Sequence, residues 1–176
     1  MPLLIEDYGI IGDTQTAALV GRDCSIDWLC LPRFDSEACF AKLLGDESNG
    51  YWRIAPAGID EPRASRRRYR GDTLVLESEF DTPTGTVRVV DFMPIREKLP
   101  EVVRVVEGVS GRVPVRMDLV IRFGYGCVVP WVHRIDGLLT AIAGPDGLAL
   151  WTPVETRGED LTTVAEFTVS EGQSLR

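Results

Sequence analysis

The chain has 176 residues, enough for one domain with a hydrophobic core, and its 44% hydrophobic and 26% charged residues are ordinary values for a soluble globular protein. Its formal net charge of −8 disfavours nucleic acid and anionic membranes as partners. The amino terminus lacks the basic start of a signal peptide, and no apolar run approaches the roughly 20 residues that a membrane-spanning helix needs. We therefore expect a cytoplasmic protein that binds neither nucleic acid nor a membrane.

Short β-favouring runs separated by turn signals make up most of the chain. The runs are 16–20, 25–31, 51–54, 65–70, 73–80, 86–93, 101–109, 113–123, 131–135, 138–143, 148–152 and 162–169. Residues 5–12 form either a further short strand or an extended lead-in. Residues 37–44 instead predict one short helix, with Asp35 or Ser36 as its cap. Strands at this spacing predict an all-β fold, an antiparallel β-sandwich with one short helix.

The segment from residue 113 to residue 123 has the clearest periodicity. Apolar side chains alternate with polar ones from Val113 to Phe123, which predicts a long, half-buried strand. Residues 108–112 predict a turn before it. A later turn at 171–173 leaves residues 174–176 to begin one more strand. We therefore expect a single domain over residues 1–176 that is cut before its last strands, leaving apolar surface that favours self-association.

The run at residues 24–31 alternates between two faces. One face is apolar and is predicted to be core; it holds Cys24, Ile26, Trp28 and Cys30. The other face is mixed; it holds Ser25, Asp27, Leu29 and Leu31. The Asp27 carboxylate must meet water, a partner charge or another domain, because an unpaired buried charge is too costly. Pro32 ends the run because it has no N–H to donate to a ladder.

Common signals for a metal, a nucleotide or a catalytic triad are missing from the sequence. The four cysteines form no CxxC pair, which argues against zinc and predicts free, buried thiols; they are Cys24, Cys30, Cys39 and Cys127. The single histidine, His133, lacks a GxSxG partner motif and is expected in a loop or at a strand edge. No P-loop or GxGxxG occurs, so we expect neither metal nor cofactor.

Residues 21–45, GRDCSIDWLCLPRFDSEACFAKLLG, resemble the opening motif of the bacterial and archaeal glucoamylase-like and trehalase-like enzymes of glycoside hydrolase family 15. The stretches IEDYGIIGDTQTAALV, DTPTGTVRVVDFMP and RVVEGVSGRVPVRMDLVIRFGYG are similar to the amino-terminal domain of the same family. The resemblance runs from about Ile5 to the end of the chain. Cys24 is a departure, because the family usually has Gly at this turn position, where a positive φ costs a glycine little.

The resemblance implies an amino-terminal β-sandwich of the supersandwich type that precedes a helical α/α-barrel in the same polypeptide. In the family the barrel supplies the two catalytic glutamates, which hydrolyse an α-glucosidic bond with inversion. No segment of this chain matches the barrel motifs, so we expect no catalytic residue here. The implied function is a non-catalytic domain that supports the barrel, its partner, and shapes the rim of the α-glucoside pocket. Two alternatives are a stand-alone carbohydrate-binding sandwich and a purely structural interaction module.

Five residues of the recognised motif are candidates for that rim or for the domain interface: Asp27, Trp28, Arg33, Phe34 and Asp35. In one interpretation Trp28 or Phe34 stacks on sugar and Arg33 holds a carboxylate. In the other, which we favour, Trp28 is core and Arg33 pairs with Asp35 or Asp27. This pair would stabilise the corner, the bend that follows Pro32.

Two further groups have a structural and a functional interpretation. The basic run at 66–70 suggests either a solvated strand or a docking surface for an acidic domain, and the acidic balance argues against nucleic acid. Trp52, Trp131 and Trp151 are able to form a sugar platform, but tryptophans of this kind are more often core residues.

Overall fold

The computed structural model describes residues 3–176, and β-strands dominate it. The strands are β1 (Gly9–Gly12), β2 (Ala17–Val20), β3 (Ser25–Cys30), β4 (Ala38–Phe40), β5 (Tyr51–Pro56), β6 (Arg66–Tyr69), β7 (Leu76–Thr82), β8 (Gly85–Phe92), β9 (Val103–Val120), β10 (Trp131–Ile135), β11 (Leu138–Ala143), β12 (Asp146–Leu150), β13 (Arg157–Glu159), β14 (Thr162–Ser170) and β15 (Ser174–Leu175). Their pairings are antiparallel. The predicted all-β class is confirmed, and the strand predicted after the turn at 171–173 is β15.

One curled sheet follows the order β1-β2-β3-β5-β9-β8-β7-β6. Strand β4 joins it beside β3, β14 and β15 join beside β9, and β13 joins beside β14. The 18-residue β9 connects its two halves, because residues 103–111 pair with β8 and residues 115–120 pair with β5. The turn predicted at 108–112 is therefore wrong. The glycine-rich segment bends a continuous strand instead of reversing it, and its neighbours supply backbone partners on both sides.

Apolar residues from both halves of the sheet meet in two core clusters. The first joins β1, β2 and β3 to Leu76 of β7, and the second joins Ile54 of β5 to Phe80, Val87 and Val169. Burial of this apolar surface is the main stabilising contribution to such a fold. A curled sheet whose halves bury their apolar residues in these two clusters is consistent with the predicted β-sandwich.

A separate three-stranded sheet, in the order β10-β11-β12, covers part of the first cluster. Its central strand contributes the fully buried Ala141, and Leu148 and Leu150 of β12 pack alongside. The edge strand β10 is exposed along its whole length and carries His133, in agreement with the strand-edge prediction. This small sheet leaves two tryptophans at the surface, Trp131 at 80% and Trp151 at 66% exposure. The expectation that these two are core residues is wrong; of the three tryptophans considered as a sugar platform, Trp52 is the one that packs against the two core clusters described above.

The helix predicted at residues 37–44 does not form. Strand β4 occupies Ala38–Phe40, and a short 3-10 turn follows at Lys42–Leu44. Strand formation wins because β4 pairs with β3 and buries all three of its side chains, a tertiary gain that outweighs local helix propensity. The predicted cap is also absent: Asp35 pairs with Arg33, and the Ser36 hydroxyl accepts from the Arg33 N–H.

The structure also tests two expectations, the lack of a membrane-spanning helix and the burial of the four cysteines. No helix within residues 3–176 is long and apolar enough to cross a membrane. All four cysteines are free; Cys24, Cys30 and Cys39 are buried as predicted, whereas Cys127 is exposed. Burial raises the pKa of the Cys24 thiol to about 12, so it stays protonated and unreactive at neutral pH.

Candidate functional site

The recognised motif begins with a tight turn between β2 and β3. The Gly21 N–H donates to the Ser25 carbonyl at 2.7 Å, and the Asp23 carboxylate accepts from the Ser25 N–H at 3.0 Å. Cys24 occupies the left-handed region with φ of 57° and is fully buried. This conformation favours glycine, which agrees with the family's usual residue there. The carbonyl of Cys24 accepts from Arg104 and from the Ile54 N–H, so other strands hold the strained residue in place.

A buried ion pair anchors this turn to the other half of the sheet. Arg104 of β9 donates to the Asp91 carboxylate of β8 at 2.8 Å, and both side chains are almost inaccessible to solvent. The same guanidinium donates to the carbonyls of Cys24 and Trp52, each at 2.6 Å, and lies over the Trp52 ring. The ion pair therefore holds the turn in place through hydrogen bonds that come from a buried side chain, Arg104.

Asp27 lies at a bulge in β3. Leu19 pairs with Trp28 and Val20 pairs with Ile26, so Asp27 is the extra residue on β3. The bulge breaks the two-face alternation, and five of the six residues of β3 are buried, so residues on both faces of this strand are covered. The predicted separation into a core face and a mixed face is therefore wrong: Trp28 is half-buried, and Leu29 joins Ile26 in the first core cluster.

The Asp27 carboxylate is only 1% exposed and is surrounded by donors. The hydroxyl of Tyr8 donates to it at 2.8 Å, the Ser25 hydroxyl donates to its other oxygen, and Lys42 Nζ lies 3.7 Å away. Burial raises the pKa of Asp27 despite these partners. Burial and the nearby Asp27 charge also raise the pKa of Tyr8. This carboxylate is a positioning group inside the corner, without direct access to a ligand at the surface.

The raised pKa of Asp27 predicts a pH effect on stability. Because the folded-state pKa lies above the unfolded value, the stability that Asp27 contributes is present at low pH and is lost as pH rises through the folded-state pKa. Asp27→Asn abolishes this loss. We expect the free energy of unfolding of Asp27→Asn, relative to the unmodified chain, to increase between pH 4 and pH 7 in urea denaturation.

Glu77→Gln is the matched control for that experiment, since Glu77 is also a buried carboxylate, 4% exposed against 1% for Asp27. Burial alone would raise the pKa of Glu77, but the guanidinium groups of Arg68 and Arg70 outweigh it and hold the pKa below its usual value. Its stabilisation is present above the unfolded pKa and is lost as pH falls, so the relative stability of Glu77→Gln should decrease between pH 4 and pH 7. The same sign for both variants would contradict the assignment.

The remaining candidates lie at the surface, on the bend that follows cis-Pro32. Arg33 Nε donates to Asp35 at 3.0 Å, and both side chains are largely exposed. The Phe34 N–H donates to the Gln15 carbonyl at 3.1 Å, and Phe34 is 63% exposed. The expected Arg33–Asp35 pair is thus present. Phe34 lies at the surface of a bend that a side-chain ion pair and a backbone hydrogen bond stabilise.

Trp28 connects the interior to this surface. It packs against a small cluster of Cys30, Ala38 and Ala41, and its ring lies 6.1 Å from that of Tyr125. Tyr125 is part-exposed and has a φ of 58°, an uncommon conformation for a bulky residue that often marks a functional site. The structure therefore divides the five candidates into a buried carboxylate, a half-buried tryptophan and an exposed three-residue bend.

Three arginines of the basic run pair with carboxylates, whereas Arg67 donates to the backbone carbonyls of Asp7 and Val20. Arg66 pairs with Glu79 and Asp81, and Arg68 and Arg70 both pair with Glu77. These ion pairs favour the interpretation of β6 as a solvated strand. They weaken the alternative of a surface that docks an acidic domain.

A cleft of about 580 Å³ lies between the first core cluster and β12. Its walls are mostly apolar and include Leu29, Phe40, Leu119 and Leu150, with Trp151 at the mouth. Among the described residues, Glu101 is the one acidic side chain of the lining, so these residues do not supply the two acids that glycoside hydrolysis usually uses.

Comparison with known proteins places this geometry in a family. Residues 2–170 match the family described as trehalase-like, N-terminal. The chain belongs to the trehalase-like N-terminal family. The matched region includes residues 21–45 of the recognised motif and the buried Arg104–Asp91 pair.

Individual relatives support the same grouping. The trehalase-like domain is 35% identical to a trehalase of Thermoplasma volcanium over 136 residues, which cover 74% of this chain and 22% of the relative. It is 40% identical to a trehalase of Mycolicibacterium smegmatis over 87 residues, 49% of this chain and 13% of the relative. Trehalase 2 of Sulfolobus acidocaldarius is 31% identical over 134 residues, 76% of this chain and 21% of the relative. No solved structure matches the chain.

Sequence reasoning missed four residues of this corner. Tyr8 and Lys42 contact Asp27, Arg104 holds the turn, and Tyr125 packs on Trp28. Each partner comes from a distant strand or loop, so spacing along the chain carries no signal for it. The available signal was that all four belong to stretches that resemble the family: Tyr8 to IEDYGIIGDTQTAALV, Lys42 to residues 21–45, and Arg104 and Tyr125 to RVVEGVSGRVPVRMDLVIRFGYG.

Proposed function

We propose that this chain is the non-catalytic amino-terminal domain of an α-glucoside hydrolase resembling trehalase. In this proposal a helical catalytic domain of the same polypeptide binds and cleaves the substrate. The observation that carries the proposal is the family match together with the small share of each relative that the chain covers, 22% for the Thermoplasma volcanium trehalase. The absence of paired carboxylates from the 580 Å³ cleft supports a non-catalytic role.

The domain's own role is to support the catalytic domain and to shape one rim of its pocket. The bend at Arg33, Phe34 and Asp35 supports this role, since it presents an exposed aromatic ring on a backbone that hydrogen bonds hold in place. Trp28 and Tyr125 extend the aromatic surface beside it. An exposed aromatic next to a pre-organised arginine is typical of residues that contribute most to protein interfaces.

We propose that the apolar cleft beside β12 is covered by further strands of the same domain. Its mostly apolar lining, including Leu29, Phe40 and Leu119, supports this, because a soluble domain rarely leaves such a surface open. Self-association of the isolated chain, measured by sedimentation, is expected if the cover is missing. A longer polypeptide that carries those strands should sediment as less associated species.

The proposed parent reaction is hydrolysis of an α-glucosidic bond with inversion, as in glycoside hydrolase family 15, by an acid and a base glutamate of the catalytic domain. Trehalose is the first substrate to test, because the relatives named above are trehalases. Maltose tests the glucoamylase-like alternative. The three buried, free thiols support a cytoplasmic location.

The deciding experiment measures glucose release from trehalose and from maltose by this chain and by the longer polypeptide in parallel. We expect release by the longer polypeptide alone, with trehalose giving α- and β-glucose in equal initial amounts in proton NMR, because inversion changes only the attacked ring and the leaving glucose keeps its α configuration. Release by this chain itself would overturn the non-catalytic assignment. Retention of configuration would overturn the proposed inverting chemistry.

A second candidate function is a stand-alone carbohydrate-binding module. The observation that favours it is the exposure of Trp131 and Trp151, since exposed aromatic faces stack on sugar rings. Binding of trehalose or maltose to the isolated chain in calorimetry, without glucose release by the longer polypeptide, would favour this function over the first.

The rim role predicts a separation between activity and stability. Arg33→Ala in the longer polypeptide is expected to lower kcat/KM for trehalose about threefold, because loss of the Arg33–Asp35 pair leaves Phe34 less precisely positioned. The exposed Arg33–Asp35 pair contributes little to folding, so the free energy of unfolding should change by less than about 0.5 kcal/mol. Arg66→Ala, on β6, is the control and should change neither rate nor affinity. If Arg33→Ala leaves kcat/KM unchanged, the bend is not part of the rim.

A further inference from the structure

A second cleft, of about 400 Å³, lies between β10, the end of β9 and the β13–β14 hairpin. Its size falls within the range of about 300–1,000 Å³ that is usual for small-molecule sites. Its lining includes the apolar residues Val129 and Trp131 and the hydroxyl-bearing residues Thr156 and Thr162. The cleft is separate from the recognised corner in sequence, and the proposed function assigns it no role.

The lining of this cleft is basic although the chain as a whole is acidic. It contains three arginines and one histidine, Arg122, Arg134, Arg157 and His133, and no aspartate or glutamate. The whole chain has 27 acidic residues against 19 Lys and Arg, so this sign reversal is local. A cleft lined by one sign of charge concentrates ligands of the opposite sign.

Two of the three guanidinium groups have no counter-charge in the part of the chain that the structure describes. Arg157 pairs with Glu159 at 2.7 Å, but neither Arg122 nor Arg134 forms an ion pair with any residue from 3 to 176. Arg134 donates only to the hydroxyl and carbonyl of Thr156. The cleft therefore has net positive charge available to a ligand.

Arg122 is the stronger signal because it is buried. Arg122 is 9% exposed. Within the described residues its guanidinium donates one hydrogen bond, to the carbonyl of the preceding Ile121 at 2.7 Å. Burial lowers the pKa of Arg122, since no carboxylate offsets the loss of water. A charge buried in this way is expected to have a partner that is itself charged.

We propose that this cleft binds a sugar that carries an anionic group, with Arg122 and Arg134 on the anion and the indole of Trp131 on the sugar ring. A guanidinium forms paired hydrogen bonds with the oxygens of either a phosphate or a carboxylate. The 80% exposure of Trp131 leaves its ring face available for stacking, and the threonine hydroxyls are suited to bind sugar hydroxyl groups. The proposal goes beyond the hydrolytic function, because it assigns the domain a ligand of its own.

Calorimetry on the isolated chain tests the proposal with four probes: glucose 6-phosphate, glucuronate, inorganic phosphate and glucose. We expect at least one of the two anionic sugars to bind, with glucose and inorganic phosphate each about tenfold weaker or more. Whichever anionic sugar binds more tightly identifies phosphate or carboxylate as the group recognised. Arg122→Gln and Arg134→Gln should each weaken that sugar about tenfold or more, the effect of losing a hydrogen bond to a charged group. Trp131→Ala should weaken the sugar and leave inorganic phosphate unchanged.

Arg66→Gln is the matched control, since Arg66 is an exposed arginine on β6 that pairs with Glu79 and Asp81 and should not affect binding. Arg134 is exposed, so Arg134→Gln tests the cleft even if Arg122→Gln fails to fold. Three results would each overturn the proposal: neither anionic sugar binds, glucose binds as tightly as they do, or Arg134→Gln binds like the unmodified chain. Because no hydrolysis is measured, failure here leaves the proposed function of the domain untouched.

Discussion

Replacing Arg104 with methionine is expected to lower the free energy of unfolding by about 3–5 kcal/mol. Arg104 and Asp91 are the most deeply buried ion pair of the fold's described part, with side chains 1% and 0% exposed. Removing the guanidinium leaves the Asp91 carboxylate as an uncompensated buried charge. It also leaves the carbonyls of Cys24 and Trp52 without their Arg104 hydrogen bonds. An unsatisfied buried polar group costs about 1–3 kcal/mol by itself.

Urea denaturation of the isolated chain measures this loss, and two further variants interpret it. Arg33→Met removes an exposed arginine with one ion pair and should change stability by less than about 0.5 kcal/mol. The double variant Asp91→Leu with Arg104→Met removes both charges and should recover part of the loss. If Arg104→Met costs no more than Arg33→Met, the turn at Cys24 does not depend on the pair, and our account of the corner is wrong.

The strands that sequence predicted well are those whose signal is local. The strands at 131–135 and 138–143 match β10 and β11 to the residue. The Asp136-Gly137 turn between them fixes the end of β10 and the start of β11. Turn chemistry and alternation act over a few residues, so they can be seen in the sequence without knowledge of the fold. The same holds for the exposed edge position of His133.

The errors occurred where distant strands decide the local structure. Residues 38–40 form a strand because β3 offers them a partner and a buried position, which no property of residues 37–44 encodes. Asp27 is buried because a bulge places it beside Tyr8 and Lys42, which come from elsewhere in the chain. The sequence correctly indicated that Asp27 needs a partner charge, but it did not indicate that the partners lie within the same domain.

The candidate site shows the same division. The Arg33–Asp35 pair was predictable, because two residues of opposite charge on one bend are close in any conformation. Trp28 was expected to be core and is instead half-buried against Tyr125, a contact that spans most of the domain in sequence. Whether the bend and these rings contact a catalytic domain stays a prediction, which the Arg33→Ala experiment tests.

The turn wrongly predicted at residues 108–112 has a structural explanation in Gly108. This glycine lies inside β9, where the turn at the end of β14 crosses the strand. The Gly108 N–H donates to the Gln173 carbonyl at 2.9 Å, and the Gly108 carbonyl accepts from the Gly172 N–H at 2.9 Å. A Cβ atom added at Gly108 would collide with the backbone carbonyl of Ser170. The glycine is therefore required for close approach of two backbones, a role that sequence alone does not separate from a turn.

Gly108→Ala is accordingly expected to destabilise the chain by about 3 kcal/mol. The obstacle is a backbone oxygen of a paired strand, so the clash cannot be relieved by a side-chain rotation and must displace the β14–β15 turn from β9. Gly158→Ala is the matched control, because Gly158 lies in a strand with no atom within 4 Å of an added Cβ and no positive φ. Its effect should stay within about 0.5 kcal/mol. Equal unfolding midpoints for the two variants in urea would show that β9 and the β14–β15 turn are not packed as closely as described, and that the bend of β9 does not depend on this glycine.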